Sequence, residues 1–201
     1  MNTVSTHPRK YHLKARADRQ LKTRDRIVDA TVALHREVGP ARTTIADIAR
    51  RAGVQRLTVY NHFPRVGDLL SACQGDFLAT NPPPDIAPGP AKKEALPRLE
   101  QALSGLYAWY RANEAMERNI NRDRHLVPEL DVLMRSADSH LEAAAKAYSK
   151  LIGNRPAAIA SIRSLVRVAL EFRTWEVLAG QGMGDAESAR LLRMAVASLS
   201  E

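Results

Sequence analysis

Residues 44–63 read TIADIARRAGVQRLTVYNHF, and this stretch decides the fold. Ile45, Ile48 and Ala49 fall on one side at helical spacing. Thr44 suits the cap before that helix, and Asp47 three positions on comes close to a capping box. Gly53 suits the left-handed residue that closes a helix, and Val54 covers the turn. A second helix is expected from Gln55 to Phe63, with Val59 and Phe63 turned inward. Gln55, Arg56, Thr58, Tyr60, Asn61 and His62 then point outward. Two short helices joined this way form a helix-turn-helix, which lays its second helix in the major groove. The pattern implies DNA binding.

A helical hairpin with a solvated polar face would give the same short pattern. The charge distribution argues against it. Residues 1–65 hold 14 Lys+Arg against 5 Asp+Glu, whereas the other 136 residues hold 16 basic and 17 acidic groups. The chain's whole excess of +8 therefore sits on the segment with the motif. A solvated face has no reason to be so lopsided. A surface that neutralises phosphates does, because counterion release drives its binding.

Residues 24–70, RDRIVDATVALHREVGPARTTIADIARRAGVQRLTVYNHFPRVGDLL, resemble the N-terminal domain of the TetR family of transcriptional regulators. The likeness lies in the opening RDRIVDAT, the Gly39 turn, TTIADIARRAGV, TVYNHFP and the following DLL. Beyond Leu78 it is architectural only. It implies a three-helix DNA-binding head followed by an all-helical domain that dimerises and binds a small effector. The sequence departs from the family pattern at four places. His35 stands where an aromatic is usual, Pro40 replaces an aromatic after the glycine, Leu57 occupies a recognition-helix position that is often small, and Val66 replaces a frequent lysine. Gln55, Arg56, Thr58 and Asn61 are the expected base contacts, with Leu57 among them on the recognition helix. Thr44, Tyr60, His62 and Arg65 are expected on phosphates, and Arg42 on the DNA backbone.

Composition fits a two-part protein. At 201 residues there is room for a head of about 50 residues and one larger core. Apolar residues make up 45% with a mean hydropathy of −0.32, and no apolar run nears the ~18 residues of a membrane span. The first 26 residues lack the apolar stretch of a signal peptide and carry eight Lys+Arg against two Asp, so a cytoplasmic protein with a basic arm is expected. The single Cys73 excludes an intrachain disulfide and reads as apolar filler.

Periodicity is helical throughout, with no sustained period-two run. The expected fold is all-α. Residues 1–21 read as a basic arm without fixed structure and 22–65 as the head, with the motif at 44–63. Residues 66–80 read as a connecting helix, 81–91 as a proline-rich connector, and 92–201 as an effector-binding and dimerisation domain of about six helices. The first helix should run from about Thr23 to Val38, burying Ile27, Val28, Leu34 and Val38. NPPPDIAPGP at 81–90 admits no helix. Pro128 should open a long helix that Gly153 ends. An eighth helix is expected over 156–178, apolar nearly all round, and a ninth over 185–199. Such a helix is buried on two sides, as the centre of its domain and against a second subunit.

Candidate pocket residues are Trp109, Tyr110, Met116, Arg122, His125, Phe172, Arg173 and Trp175, since aromatics and Met suit an apolar ligand and Arg or His can orient an anion. Each has an ordinary alternative as core or solvated surface. Leu165, Val168, Phe172, Leu191, Leu192 and Ala195 are the candidate dimer interface. The expected partners are a double-stranded DNA operator, a second copy of the chain and an unidentified small-molecule effector, with no membrane. An enzyme finds no support: there is no Gly-rich phosphate loop, nucleophile elbow or metal-spaced Cys/His cluster, so no cofactor or metal is expected. A DNA-binding architectural protein without an effector shares the basic arm and the dimer and needs no cavity.

Overall fold

A computed structural model describes residues 7–200, with side chains from Lys14 onward. The described residues form ten α-helices: α1 (His7–Glu37), α2 (Ile45–Ala52), α3 (Arg56–His62), α4 (Val66–Thr80), α5 (Ala95–Ala112), α6 (Glu114–Asp123), α7 (Pro128–Ile152), α8 (Pro156–Ala169), α9 (Phe172–Gly180) and α10 (Asp185–Ser198). Single 3-10 turns stand at Pro40–Arg42 and Lys92–Glu94. None of these helices is long and apolar enough to cross a membrane.

The head forms for local reasons visible in its sequence. Thr44 caps α2, its hydroxyl accepting the Asp47 N–H at 3.2 Å and donating to the Asp47 carboxylate at 2.5 Å. Gly53 ends α2 at φ 64°, and Val54 N–H returns to Ala49 C=O at 2.9 Å. Both are what a helix closed by a left-handed residue requires. Ile27, Val28 and Leu34 from α1, Ile48 and Ala49 from α2, Val59 and Phe63 around α3, and Leu69 and Cys73 from α4 make one buried cluster. Arg24 lies over the Phe63 ring, 5.0 Å from its centroid.

Three expectations are corrected. First, α1 begins at His7, so residues 7–21 of the arm are helical; residues 1–6 lie outside the described residues. Residues 16–22 are exposed, so packing does not hold them. Ala, Arg, Lys, Gln and Leu propagate a helix already nucleated where Ile27 and Val28 pack. Second, Val38 is exposed, because α1 ends at Glu37 and the chain turns at Gly39, off the helical period. Third, the expected eighth helix is two helices, broken at Leu170 and Glu171. No proline or glycine marks the break. The Tyr107 hydroxyl donates to Ala169 C=O at 2.6 Å and that of Tyr110 to Leu170 C=O at 2.8 Å, satisfying carbonyls that the interruption frees.

That break changes which helix is central. α5 buries Leu99, Ala102, Leu103, Leu106, Tyr107 and Tyr110 and touches α6, α7, α9 and α10. α10 lies along α5, and α7 along α8. The connector over 81–90 is packed down: Ile86 enters the body's core, and Arg98 holds the Asp85 carboxylate at 2.8 Å and Ala87 C=O at 3.0 Å. α4 bridges the two parts. Leu69 and Cys73 belong to the head, while Phe77 meets the Trp109 ring edge-on at 6.3 Å.

Candidate nucleic-acid interface and interior cavity

α3 turns one face to solvent. Val59 and Phe63 are buried, while Gln55, Arg56, Leu57, Tyr60 and Asn61 are exposed and Thr58 and His62 partly so. Gln55 caps α3 through its backbone only, leaving its side chain free. Leu57 is 65% exposed and Tyr60 52%, so both side chains are free to meet a partner. Arg42 and Thr44 flank this face and are exposed. Two expected phosphate contacts are already engaged: the Thr44 hydroxyl in its cap, and Arg65 in a two-pronged pair with Asp68 at 2.9 and 2.7 Å. Both lie at the surface, where an ion pair adds little and yields readily.

Between head and body lies a cavity of about 440 Å³. Small-molecule sites span about 300–1,000 Å³. Its walls come from α1, α4, α5, α6 and α7, with Glu171 and Phe172 beyond α8. Of the expected pocket residues, Trp109, Tyr110, Met116 and Phe172 line it. The other four do not. Arg122 pairs with Asp123 at 2.6 Å, His125 is exposed, and Arg173 pairs with Glu176 at 2.8 Å on the surface. Trp175 is core: its Nε1–H donates to Asp185 at 3.0 Å and Arg111 covers its ring. Each has a carboxylate partner or an exposed site that residue type alone does not reveal.

Sequence reading missed Glu117, Arg124 and His35 on the cavity wall. Met116, Glu117, Ile120, Asn121 and Arg124 share the inner face of α6 at spacings of one, three and four, so an acid on an apolar stripe was the available signal. Burial raises the Glu117 carboxyl to about 7. Arg124 is held by Asp131 at 3.0 Å and Asp138 at 2.8 Å. Burial lowers His35 to about 4, against the pull of Asp123, and pushes the Cys73 thiol up to about 12, which keeps it from being a reactive thiolate.

The lowered His35 has a consequence in acid. Below the ordinary histidine value of 6.5 the unfolded chain takes a proton that the folded chain refuses until about 4, so stability from this residue is lost across that window. The raised Glu117 works in the opposite sense over a similar range. His35→Phe isolates the first effect. Its urea midpoint should gain on that of the parent as pH falls from 6.5 toward 4, and a constant difference would show that His35 is not titrating.

The other face of α6 holds the head. Asn119 Nδ2 donates to His35 C=O at 3.0 Å and Arg36 C=O at 2.9 Å. The buried Asp123 accepts the Ala41 N–H at 3.0 Å, and Arg122 Nη2 donates to Val38 C=O at 2.8 Å. Burial pushes the Asp123 carboxyl up, but the Arg122 hydrogen bond, the Ala41 N–H and the charges of Arg122 and Arg42 outweigh it and hold the group below the carboxylate range. One short helix thus touches both the cavity and the end of α1.

α8, α9 and α10 carry large apolar side chains that are exposed in the single chain. Val168 is 53% exposed, Val177 64%, Leu191 45% and Met194 52%. Of the expected interface residues, Val168 and Leu191 are in this exposed set. Leu165 and Leu192 pack against the core, Ala195 is partly exposed, and Phe172 is 2% exposed. Phe172 is therefore corrected: the break after α8 turns it inward onto Tyr110, with ring centroids 5.4 Å apart.

Residues 27–73 match the family model described as bacterial regulatory proteins, tetR family. No curated protein matches the chain. Among solved structures, a TetR transcriptional regulator from Rhodococcus sp. RHA1 aligns at 21% identity, covering 90% of this chain and 97% of that one, with a TM-score of 0.44. The family match falls on the capped helix-turn-helix whose second helix is exposed, so residues 27–73 form a DNA-binding domain of the tetR-family type.

Proposed function

We propose that this regulator is a homodimeric, ligand-responsive repressor that binds a pseudo-palindromic DNA operator. One observation carries the reading: α6 joins a cavity of small-molecule size to the backbone that ends α1. A ligand that moves α6 or the neighbouring α4 alters how the heads are set. The cavity also favours this reading over an architectural DNA-binding protein, which needs none. The division into a head over 22–65, a connecting helix over 66–80, a connector over 81–91 and a body over 92–201 fits that role, as does a cytoplasmic setting.

In this reading Gln55, Arg56, Thr58 and Asn61 meet bases, and Leu57 fills space against them. Tyr60 and His62, with Arg42, Thr44 and Arg65 beside them, meet phosphates. The exposed apolar side chains of α8, α9 and α10 meet a second copy. Two-fold symmetry then sets two α3 helices in successive major grooves.

The test is selection of bound sequences from random DNA, followed by affinity measurement. A two-fold symmetric consensus is expected, bound far more tightly than random DNA. Its affinity should fall steeply with salt, because the head carries the chain's positive excess. Arg56→Ala should cost about 1–3 kcal/mol per half-site and relax preference at one base. Equal affinity for selected and random DNA would favour the architectural alternative, and an unchanged Arg56→Ala would mean that α3 docks another way.

A further inference from the structure

α6 carries three acids, and two are matched. Glu114 pairs with Arg118 at 2.5 Å and Asp123 with Arg122 at 2.6 Å. Glu117 makes no ion pair and no side-chain hydrogen bond among the described residues; only its backbone is engaged, its N–H donating to Asn113 C=O at 3.0 Å and its C=O accepting from Asn121 Nδ2 at 2.9 Å. Its side chain stands on the cavity wall between Met116 and Ile120, in sight of aromatic rings. Glu117 is partly exposed along the cavity, yet the surrounding wall still raises its carboxyl, and no protein cation offsets that desolvation. Nothing in the packing of α6 uses the acid: of its neighbours on the wall, Met116 and Ile120 are apolar, Asn121 turns its amide to a backbone carbonyl, and Arg124 is taken by Asp131 and Asp138.

The remaining charges around the cavity are already balanced. Arg124 is held by Asp131 and Asp138, and Glu171 by Arg167. His35 is neutral from burial, and Cys73 and Tyr110 are raised by burial well above the neutral range. His140, on the α7 wall, is exposed. Among the described residues of the wall, the one unmatched group is negative. An anion would be repelled by it and would find no free cation among those residues. A neutral ligand would leave it as it is.

We propose that the cavity takes an organic cation with an aromatic or bulky apolar body, its positive nitrogen beside Glu117 and its apolar part against Trp109, Tyr110 and Phe172. The aromatic faces add to the attraction for such a cation. This inference rests on the reading of the cavity as the effector site. Binding a cation matches the lone carboxylate on the same helix that holds His35 and Ala41 of the head, so the ligand's charge is felt where the head is fastened.

Three naphthyl compounds of similar size test this by calorimetry on the full chain: a naphthylmethyl trimethylammonium ion, naphthylmethanol and naphthylacetate. The ammonium carries a permanent charge, so only the protein titrates. At about pH 8 it should bind about tenfold or more tightly than the alcohol, with the acetate weakest. Between about pH 8 and pH 6 the ammonium should weaken as Glu117 takes up a proton, while the alcohol stays constant. Glu117→Gln should bring the ammonium down to the alcohol's affinity and leave the alcohol unchanged. Equal binding of ammonium and alcohol to the parent chain would overturn the inference while leaving the cavity as a ligand site. Binding by none of the three would remove the ligand site itself, and the inference with it. The comparison within the parent chain decides the matter even if Glu117→Gln does not fold.

Discussion

Val168→Glu, Leu191→Glu and Met194→Glu are each expected to give a folded single subunit that has lost tight operator binding. All three residues are about half exposed in the isolated chain, so a charge there costs the subunit little. Across a subunit interface the same charge would be buried without a partner, at a cost of several kcal/mol. Sedimentation should show a monomer with an unchanged helical signal. Operator affinity should fall by roughly 10²–10⁴, because the second head no longer binds as a tethered partner. Phe172→Glu provides the contrast. Its ring is buried against Tyr110 and Trp175, so that substitution should unfold the body. Should all three exposed variants remain dimeric, the copies meet elsewhere and the bare apolar side chains of α8, α9 and α10 need another explanation.

The head was legible in the sequence because its determinants are local. Thr44, Asp47 and Gly53 act within four residues of themselves, and the cap and the φ of 64° follow from chemistry that the string of letters displays. Ile48, Ala49, Val59 and Phe63 are buried as their spacing requires. The proline-rich connector and the start of α7 at Pro128 are equally local. The break between α8 and α9 was not legible. Its two caps come from Tyr107 and Tyr110, about sixty residues earlier, and residues 156–178 by themselves read as one apolar helix. The extension of α1 back to His7 escaped for another reason: an exposed helix has no apolar period to detect.

The candidate site divides along the same line. The exposed face of α3 follows from alternation between buried Val59 and Phe63 and their polar neighbours. The cavity was half visible, through Trp109, Tyr110, Met116 and Phe172. Arg122, His125 and Arg173 were selected for their charge, yet two of them have a carboxylate within three residues that already occupies them. Glu117 is left unpaired even by adjacent Arg118, which turns to Glu114 and Glu176, and that makes it informative. A charge held by its own counter-ion is satisfied surface, whereas an unpaired charge on a cavity wall marks something to be bound.

Gly39→Ala is expected to be the most damaging single-atom addition in the head. Gly39 adopts φ 93° and ψ 159°, a region that is almost exclusively glycine's, and forcing another residue there costs about 1–3 kcal/mol. Sterics add to this. A Cβ at this position would overlap Arg122 Nη2 and Asp123 Oδ2, the atoms that reach Val38 C=O and the Ala41 N–H. Arg122 is partly exposed and can swing away, but Asp123 is 1% exposed and has nowhere to go without abandoning the Ala41 N–H. The variant should therefore lower the urea midpoint and also loosen the head from α6. Loosening is separable from instability by a second variant. Asp123→Asn keeps the shape and one acceptor but removes the charge that Arg122 and Ala41 N–H hold, so it should weaken the joint without the backbone strain. If the joint carries the ligand's effect, both variants should bind operator DNA yet respond less to a cavity ligand than the parent does. Asp123→Asn with full ligand response would place the coupling in α4 instead, which reaches from the head core at Leu69 and Cys73 to Trp109 at the cavity through Phe77.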